Sequence, residues 1–550
     1  MLKRGVFIIG LFAIFVANIV VAKDRGRDFD LVRNSEIMVN ILKTLSEGYV
    51  DTLSTNQLIK DATRGMAKNI DPYTSYYDEQ DMTEFEMMTT GKYGGIGSVI
   101  RQDGDYVVVA QPYKGSPADR AGLRIGDKIV KIDGEQAKGL TTQQVSERLK
   151  GTPNSNVTVV VNSVIDSTER KVKIKRERIS IPAIPYYDML NDKVGYIKHA
   201  DFTEGSYESM RGAINDLKSR GMSSLVLDYR SNGGGILQES IDVLSLFLPI
   251  DSEVLTIRSR GDSTIYRTRY QPILDQAPLI VMIDGHSASA AEIVAGAIQD
   301  LDRGVLIGER SFGKGLVQST IPVGYDSFLK LTTSKYFIPS GRSIQAIDYS
   351  NHGEDREVKR TADSLYRKFY TAGGREVYDG GGILPDIECE QEYMSRYAAT
   401  LYSDGVIDRW GNSFYRRNYQ QGIDSETFEI SDDEWDRFVE MVESSKIEYK
   451  SSVALALKEL TDAAERDRNE ELLKELKPLE GQLHDDTQSN LRRYREEIEQ
   501  EMVRDIILRF DYIEGVLRYS LKHDEQIDKA IELLTDSERI EQLLTAGVNR

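Results

Sequence analysis

The stretch PLIVMIDGHSASAAEIVAGAIQD, residues 278–300, decides the fold class of this chain. Its first part is an apolar run with the length of a buried strand, and its second part has the spacing of a helix. A fully buried strand followed by a helix is typical of a sheet whose two faces are both covered. The stretch therefore predicts an α/β domain, with two serines and a histidine at the corner between strand and helix.

Strand and helix patterns alternate on both sides of this stretch. The strand patterns are KVGYIKHADF (193–202), SLVLDYR (224–230) and RGVLIGE (303–309), and the helical patterns lie at 206–219 and 236–248. Such alternation indicates layered βα units with helices on the sheet faces. We therefore predict an α/β core over residues 179–389.

Ser289 has two interpretations. Ser289 and Glu292 fit the S-x-x-E capping box, in which the serine only caps the helix. A serine at a strand-to-helix corner also presents its hydroxyl at the carboxyl end of a sheet, where α/β proteins bind ligands. The helix amino terminus adds N–H groups and positive potential that stabilise an oxyanion. The local residues alone leave both interpretations open.

A serine nucleophile needs a base. His286 is close in sequence, but a neighbour in the same tight turn points poorly at Ser289, so we expect an ordinary turn histidine. The segment GERSFGKGLVQSTIPV, residues 308–323, holds Lys314 between two glycines at the start of a predicted strand. Lys314 and Gln318 would share one strand face, as an amine and the amide that orients it. An exposed strand lysine is the simpler interpretation if the serine is disregarded.

A glycine-rich loop is the third element of the predicted site. The segment LDYRSNGGGIL, residues 227–237, places three glycines between a strand and a helix. The backbone N–H groups of such a loop can bind a phosphate or stabilise an oxyanion. Because the segment lacks the GK[ST] ending of a P-loop, we do not expect a nucleotide.

Residues 89–178 have a different pattern, with β-rich segments, Gly-Asp and Asp-Gly turns and one helix at 141–149. The segment GSPADRAGLRIGDKIVKIDG, residues 115–134, resembles the central signature of PDZ domains. In that family an extended peptide adds a strand to a sheet edge, and a glycine-rich loop binds its terminal carboxylate. The matching loop and groove residues are Gly94, Gly95, Ile96, Gly97, Val145 and Leu149.

The two ends of the chain have compositions of their own. A basic start and an unbroken apolar run predict a signal peptide over 1–22, with an uncleaved membrane anchor as the alternative. Residues 23–88 predict a helical segment, and 390–550 predict long charged helices. We expect an apolar stripe in the last region to mediate self-association or partner docking, or to fold back on the core. The stripe consists of Ile498, Met502, Ile506, Phe510, Ile513 and Leu517.

Composition and charge exclude several classes of protein. The net charge of −19 argues against nucleic-acid binding, which needs clustered Lys and Arg. The single cysteine, Cys389, cannot form an intramolecular disulfide, and the five histidines do not have the spacing of a zinc site. We expect no metal and no cofactor.

Together the motifs resemble the carboxyl-terminal processing, or tail-specific, serine proteases over residues 30–388. The matching motifs are NIDPYTSYY (69–77), YGGIGSVI (93–100), LDYRSNGGG (227–235), SASAAEIVAGAIQD (287–300), GERSFGKGLVQ (308–318) and GGILPDI (381–387). The resemblance implies that Ser289 is the nucleophile, that Lys314 is the general base and that Gln318 positions the lysine. It also implies an oxyanion hole formed by the backbone N–H groups of Gly235 and Ala290.

These observations predict an exported serine endopeptidase of the periplasm or cell envelope that selects protein substrates by their free carboxyl termini. A lysine acts as a base only when neutral, and burial in an apolar site can lower a lysine pKa enough for this. The expected fold is an α/β protease core with an inserted β-rich PDZ domain, an N-terminal helical segment and a mainly α-helical C-terminal region. The alternatives are an inactive PDZ-bearing peptide-binding protein and a lyase or hydratase that acts on acyl thioesters.

Overall fold

The computed structural model describes residues 28–78, 90–347, 349, 360, 362–391, 393–481, 483 and 486–545. These residues form two compact units: one contains 28–78 and 318–333, and the other contains the remainder. The predicted signal peptide or anchor at 1–22 lies outside the described residues. Within the described ranges, no helix combines the length and the apolar character that a membrane span requires.

The first unit contains two helices and a small antiparallel sheet. Helix α1 covers 28–48 and helix α2 covers Thr55–Lys68. Strand β1, Ser75–Tyr77, pairs antiparallel with residues 328–330. Just before β1, the buried Asp71 carboxylate accepts hydrogen bonds from two backbone N–H groups of its own turn, and these bonds shape the DPYTSYY motif.

The PDZ region is an antiparallel sheet packed on one main helix. Its elements are β2 (Lys92–Gly95), β3 (Ser98–Asp103), β4 (Tyr106–Pro112), α3 (Pro117–Arg120), β5 (Lys128–Ile132), β6 (Glu135–Gln136), α4 (Thr142–Leu149), β7 (Asn156–Asn162), β8 (Glu169–Lys175) and β9 (Glu177–Ser180). The strand order is β3-β4-β5-β7-β8, so β3 lies at the edge of this sheet. Helix α4 begins with a capping box formed by Thr141 and Gln144.

Apart from residues 318–333, which belong to the first unit, the strands and helices from 186 to 388 form the α/β core. They are β10 (Tyr186–Met189), β11 (Val194–Lys198), α5 (Ser206–Ser219), β12 (Ser224–Asp228), α6 (Leu237–Leu244), β13 (Glu253–Arg258), β14 (Ser263–Arg267), β15 (Leu279–Ile283), α7 (Ala290–Asp300), β16 (Val305–Gly308), β17 (Leu316–Gly324), β18 (Ser327–Phe337), β19 (Lys368–Tyr370), β20 (Glu376–Tyr378) and β21 (Ile387–Glu388). The main sheet has the order β10-β11-β12-β15-β16-β21 and is parallel except for β10. Strands β13 and β14 pair antiparallel in a second sheet, where residues 335–337 also pair with β13.

The C-terminal region is helical from 396 onward. Its helices are α8 (Arg396–Ser403), α9 (Val406–Asn418), α10 (Asp432–Ser444), α11 (Ser452–Arg466), α12 (Glu470–Glu480), α13 (Thr487–Arg493), α14 (Arg495–Leu521), α15 (Glu525–Thr535) and α16 (Ser537–Thr545). Helix α14 is kinked, because Asp511 and Tyr512 have non-helical backbone angles. Beside the kink, the Tyr512 hydroxyl donates to Asp119 of the PDZ region at 2.7 Å.

The apolar stripe of the C-terminal region folds back on this chain. Ile498, Met502 and Ile506 are fully buried in a core shared with helices α8 to α10, and Phe510 packs against that core. Leu517 packs with helices α15 and α16 against the main sheet. Folding back on the chain's own core is thus observed for five of the six stripe residues. Ile513 is 36% exposed, and self-association or partner docking stays a prediction.

Both faces of the main sheet are covered, as the continuous apolar pattern of its strands requires. Leu279, Val281 and Ile283 of β15 pack on one face with helices α5 to α7. Ile280 and Met282 point to the other face, which helices α15 and α16 cover. The fold class predicted from the sequence is thus confirmed, whereas the predicted domain boundaries stay predictions.

Candidate active site

Ser289 lies in a strained turn between β15 and α7. Its backbone has φ 56° and ψ −115°, in the region that residues other than glycine rarely adopt. The side chain is half-buried. Such strain persists only where the surroundings impose it, and it is concentrated at functional sites. Ser289 is therefore held in a conformation that a simple helix cap does not need.

Asp284 shapes the turn that leads to Ser289. Its buried carboxylate accepts hydrogen bonds from the N–H groups of His286 and Ser287, each at 2.9 Å. It also accepts from the N–H of Ser231, at 2.9 Å, in the glycine-rich loop. One carboxylate thus joins the serine turn to the glycine-rich loop. The His286 side chain is exposed in this turn, as expected for an ordinary turn residue.

The glycine-rich loop packs directly against Ser289. A Cβ atom on Gly234 would lie 2.7 Å from the Ser289 Cβ, and one on Gly235 would lie 2.2 Å from the Phe202 carbonyl oxygen. Both glycines have positive φ, 99° and 139°, so no other residue type fits here without strain. Among the described residues, the N–H groups of Gly235 and Ala290 donate to no protein acceptor. These two N–H groups stay the predicted oxyanion donors.

Glu292 accepts hydrogen bonds from the backbones of both predicted catalytic residues. Its fully buried carboxylate accepts from the N–H groups of Ser289 at 2.9 Å and Lys314 at 2.9 Å. It also accepts from the Gly313 N–H at 2.7 Å and the Ser311 hydroxyl at 2.5 Å. Burial raises the pKa of Glu292, and these four hydrogen bonds oppose the rise. The glutamate of the S-x-x-E pattern therefore has three partners that a helix cap does not explain.

Tyr336 makes a second connection between the same two residues. Its hydroxyl lies 2.5 Å from the carbonyl oxygen of Lys314 and 3.2 Å from that of Ser289. A hydroxyl has one proton, so the two carbonyls share it. Two side chains, Tyr336 and Glu292, thus hold Ser289 and Lys314 in a common arrangement.

The position of Lys314 differs from the one predicted. Strand β17 begins at Leu316, so Lys314 lies in the preceding loop and strand alternation does not set its direction. The backbone bonds to Glu292 and Tyr336 hold this loop instead. Gln318 belongs to the first unit, where its amide donates to the Thr332 hydroxyl at 3.3 Å. Its role in orienting the lysine stays a prediction.

Asp228 and Arg230 form a buried ion pair at the start of the glycine-rich loop. The Arg230 guanidinium lies 2.7 Å from the Asp228 carboxylate, and the Lys198 ammonium lies 3.2 Å from it. Burial alone would raise the pKa of Asp228, but these two cations hold that pKa well below its ordinary value. No sequence motif indicates this pair, because a charged residue after a strand has no distinctive spacing.

The predicted PDZ residues divide into two groups. Gly94 and Gly95 lie in β2, and the loop that follows them leads to the edge strand β3. Ile96 of that loop packs in the PDZ core together with Val145 and Leu149, and their exposed fractions are 4%, 0% and 4%. The contact of these three side chains with a substrate tail stays a prediction.

Comparison with known proteins identifies the class. The model of peptidase family S41 matches residues 193–352, and a PDZ domain model matches 108–163. A model described as the C-terminal helical domain of a probable PDZ-protease matches 397–534. A relative that is 34% identical is matched over 79% of its own length. This chain therefore belongs to peptidase family S41 and is a serine peptidase.

The relatives narrow the class to carboxy-terminal processing. The carboxy-terminal-processing protease of Bartonella bacilliformis is 34% identical over 349 residues, which cover 62% of this chain and 79% of that protein. A probable CtpA-like serine protease of Staphylococcus aureus is 32% identical over 308 residues, covering 56% of this chain and 61% of that protein. A solved structure of the photosystem II D1 C-terminal processing protease has 26% identity and a TM-score of 0.36, covering 64% of this chain and 92% of that chain. By its family and domain matches the chain is a serine protease with a PDZ domain, and the first of these relatives is named for carboxy-terminal processing.

Proposed function

We propose that this protease is exported, that Ser289 is its nucleophile and that Lys314 is its general base. The observation that carries the assignment is the shared set of bonds from Glu292 and Tyr336 to the backbones of both residues. The strained backbone of Ser289 supports it further.

In this proposal the neutral Lys314 amine removes the Ser289 hydroxyl proton as the oxygen attacks the substrate carbonyl carbon. The resulting oxyanion accepts hydrogen bonds from the N–H groups of Gly235 and Ala290. When the C–N bond breaks, the protonated lysine gives its proton to the leaving amine. Water then attacks the acyl-enzyme, with Lys314 again as the base, and releases the new carboxyl terminus. Gln318 has the role of orienting the amine.

A fluorophosphonate probe tests the assignment of the nucleophile. Such a probe phosphonylates an activated serine, so peptide mapping of the labelled wild-type protein should find the adduct on Ser289. Labelling of Lys314→Met should be much slower, because the hydroxyl then lacks its base. An adduct on any other serine would contradict the proposal.

We expect the PDZ domain to recognise a free, largely apolar carboxyl terminus through the 94–97 loop and the edge strand β3. Among the described residues, strand β3 pairs with β4 on one side and has no partner on the other, and its Val99 is 41% exposed, which suits strand addition. Amidation of a good peptide ligand removes the charge that the loop should bind, so affinity should fall about tenfold or more. Calorimetry on full-length Ser289→Ala protein, which cannot consume the peptide, measures this. Equal affinity for the acid and amide forms would refute the prediction.

We expect the exported protein to begin near Lys23, since the apolar run before it has the pattern of a cleaved signal. Amino-terminal sequencing of the natively exported protein measures this directly. Intact residues 1–22 in the membrane fraction would favour the anchor interpretation instead.

A further inference from the structure

Arg230 lies between two carboxylates that come from different parts of the chain. On one side is Asp228 of β12, and on the other is Asp524, whose carboxylate oxygen lies 2.7 Å from the Arg230 guanidinium. The side-chain exposed fractions are 11% for Arg230, 1% for Asp228 and 20% for Asp524. The C-terminal helical region thus supplies one of the two carboxylates that pair with this arginine.

Asp524 divides its two carboxylate oxygens between two tasks. One oxygen caps helix α15 by accepting from the N–H groups of Gln526 and Ile527 at 3.0 and 3.2 Å. The other oxygen pairs with Arg230. Gln526 adds a carbonyl that accepts from the Arg230 guanidinium at 3.0 Å. The first turn of α15 therefore faces Arg230 with one charged and one neutral acceptor.

Arg230 is the second residue after β12, at the start of the glycine-rich loop. Its own carbonyl oxygen accepts from the Lys198 ammonium at 2.6 Å. The next residue, Ser231, has φ 59° and donates its N–H to Asp284 in the serine turn. Four residues beyond Arg230, Gly234 packs against Ser289. The position of the arginine thus sets where the loop starts on its way to the nucleophile.

We propose that Asp524 is a positioning residue of the peptidase: through Arg230 it holds the glycine-rich loop in the arrangement that stabilises the oxyanion. The C-terminal helical region then completes the active site, in addition to covering the sheet. This inference rests on the proposed function, because it takes Ser289 as the nucleophile and the loop as the oxyanion donor. A loop that is slightly misplaced loses transition-state stabilisation more than substrate binding.

Asp524→Ser separates the two tasks of this carboxylate. Serine retains an N-cap oxygen for α15 but is too short to reach Arg230. We expect kcat for peptide cleavage to fall about tenfold, which is less than the loss of a whole oxyanion donor would cause. KM should stay within about twofold of the wild-type value. Affinity for a peptide boronic acid, whose tetrahedral adduct occupies the oxyanion site, should fall in parallel with kcat.

Two control variants in the same helix distinguish positioning from stability. Asp528→Asn changes an exposed carboxylate one turn along α15 and should behave as wild type. Ile527→Ala removes apolar packing against the sheet, so it should lower the thermal midpoint while kcat below that midpoint is retained. A normal kcat in Asp524→Ser, or a loss of kcat in Ile527→Ala equal to that in Asp524→Ser, would overturn the inference.

Fluorophosphonate labelling distinguishes a failure of the inference about Asp524 from a failure of the proposed function. If wild-type protein is labelled on Ser289 and Asp524→Ser has normal kcat and boronate affinity, only the role of Asp524 is wrong. If wild-type protein is labelled on a different serine, the proposed function is wrong and the inference falls with it.

Discussion

Ser289→Ala and Lys314→Met are each expected to lower kcat/KM for peptide cleavage by about a thousandfold or more. The first change removes the attacking oxygen, and the second removes the amine that takes its proton. Because the two residues act as a unit, the double variant should be little worse than either single variant. In the wild type, activity should rise with pH as the Lys314 amine loses its proton.

His286→Ala is the matched control for this prediction. It removes the other nearby base, yet its side chain is exposed in the turn, so most of the activity should be retained. Steady-state cleavage of one peptide by all four variants measures the set. An active Lys314→Met variant together with an inactive His286→Ala variant would contradict the assignment of Lys314 as the base and would favour a serine–histidine pair.

Glu292→Ala should also lower activity strongly, although Glu292 takes no part in the chemistry. The change leaves two buried and two partly buried donors without their acceptor, at about 1–3 kcal/mol for each buried donor that finds no substitute. It also frees the backbones of Ser289 and Lys314 from a common partner. We expect kcat to fall about a hundredfold and the free energy of unfolding to fall by about 4 kcal/mol.

Glu292→Gln tests the same bonds more gently. The amide oxygen can accept from the Ser289 and Lys314 N–H groups, while the amide nitrogen would face the Gly313 N–H and could satisfy only the Ser311 hydroxyl. An intermediate loss of both kcat and stability is therefore expected. Cleavage assays and denaturant titrations on both Glu292 variants measure the two effects.

Asp386→Asn provides the control for a buried carboxylate outside the site. Asp386 accepts from the Leu306 N–H at 2.8 Å and pairs with Arg375 at 2.6 Å. Its loss should lower stability but leave kcat of the folded protein unchanged. A Glu292→Ala protein that keeps wild-type kcat would show that Ser289 and Lys314 are held together without it.

Local patterns predicted much of the core. The strand before Ser289 and the helix after it could be predicted because an apolar run and the S-x-x-E pattern are both short-range signals. The three further partners of Glu292 could not, because they lie some twenty residues away and meet it only after β15 and β16 pair. The sequence pattern predicts a strand that starts at Lys314, whereas the strand begins at Leu316, because glycines on both sides of Lys314 do not reveal where a strand begins.

The amphipathic helix pattern predicted which apolar residues must be buried, but not which part of a protein buries them. The stripe from Ile498 to Leu517 predicted a helix with an apolar face, and the same stripe would suit a second copy or the chain's own core. No sequence pattern indicates the ion pair between Asp524 and Arg230, since nearly three hundred residues separate a common aspartate from a common arginine. Pairings of this kind depend on tertiary packing alone.

Helices α15 and α16 cover a sheet face whose strands were made much earlier on the ribosome. Until residues 525–545 leave the exit tunnel, Val226, Ile280 and Met282 lack the cover that these two helices supply. A nascent polypeptide therefore presents an apolar surface that chaperones and quality-control proteases can bind. Asp524 directly precedes the first of these helices, so on our proposal the active site is completed only after this late part of the chain has been made and has packed on the sheet.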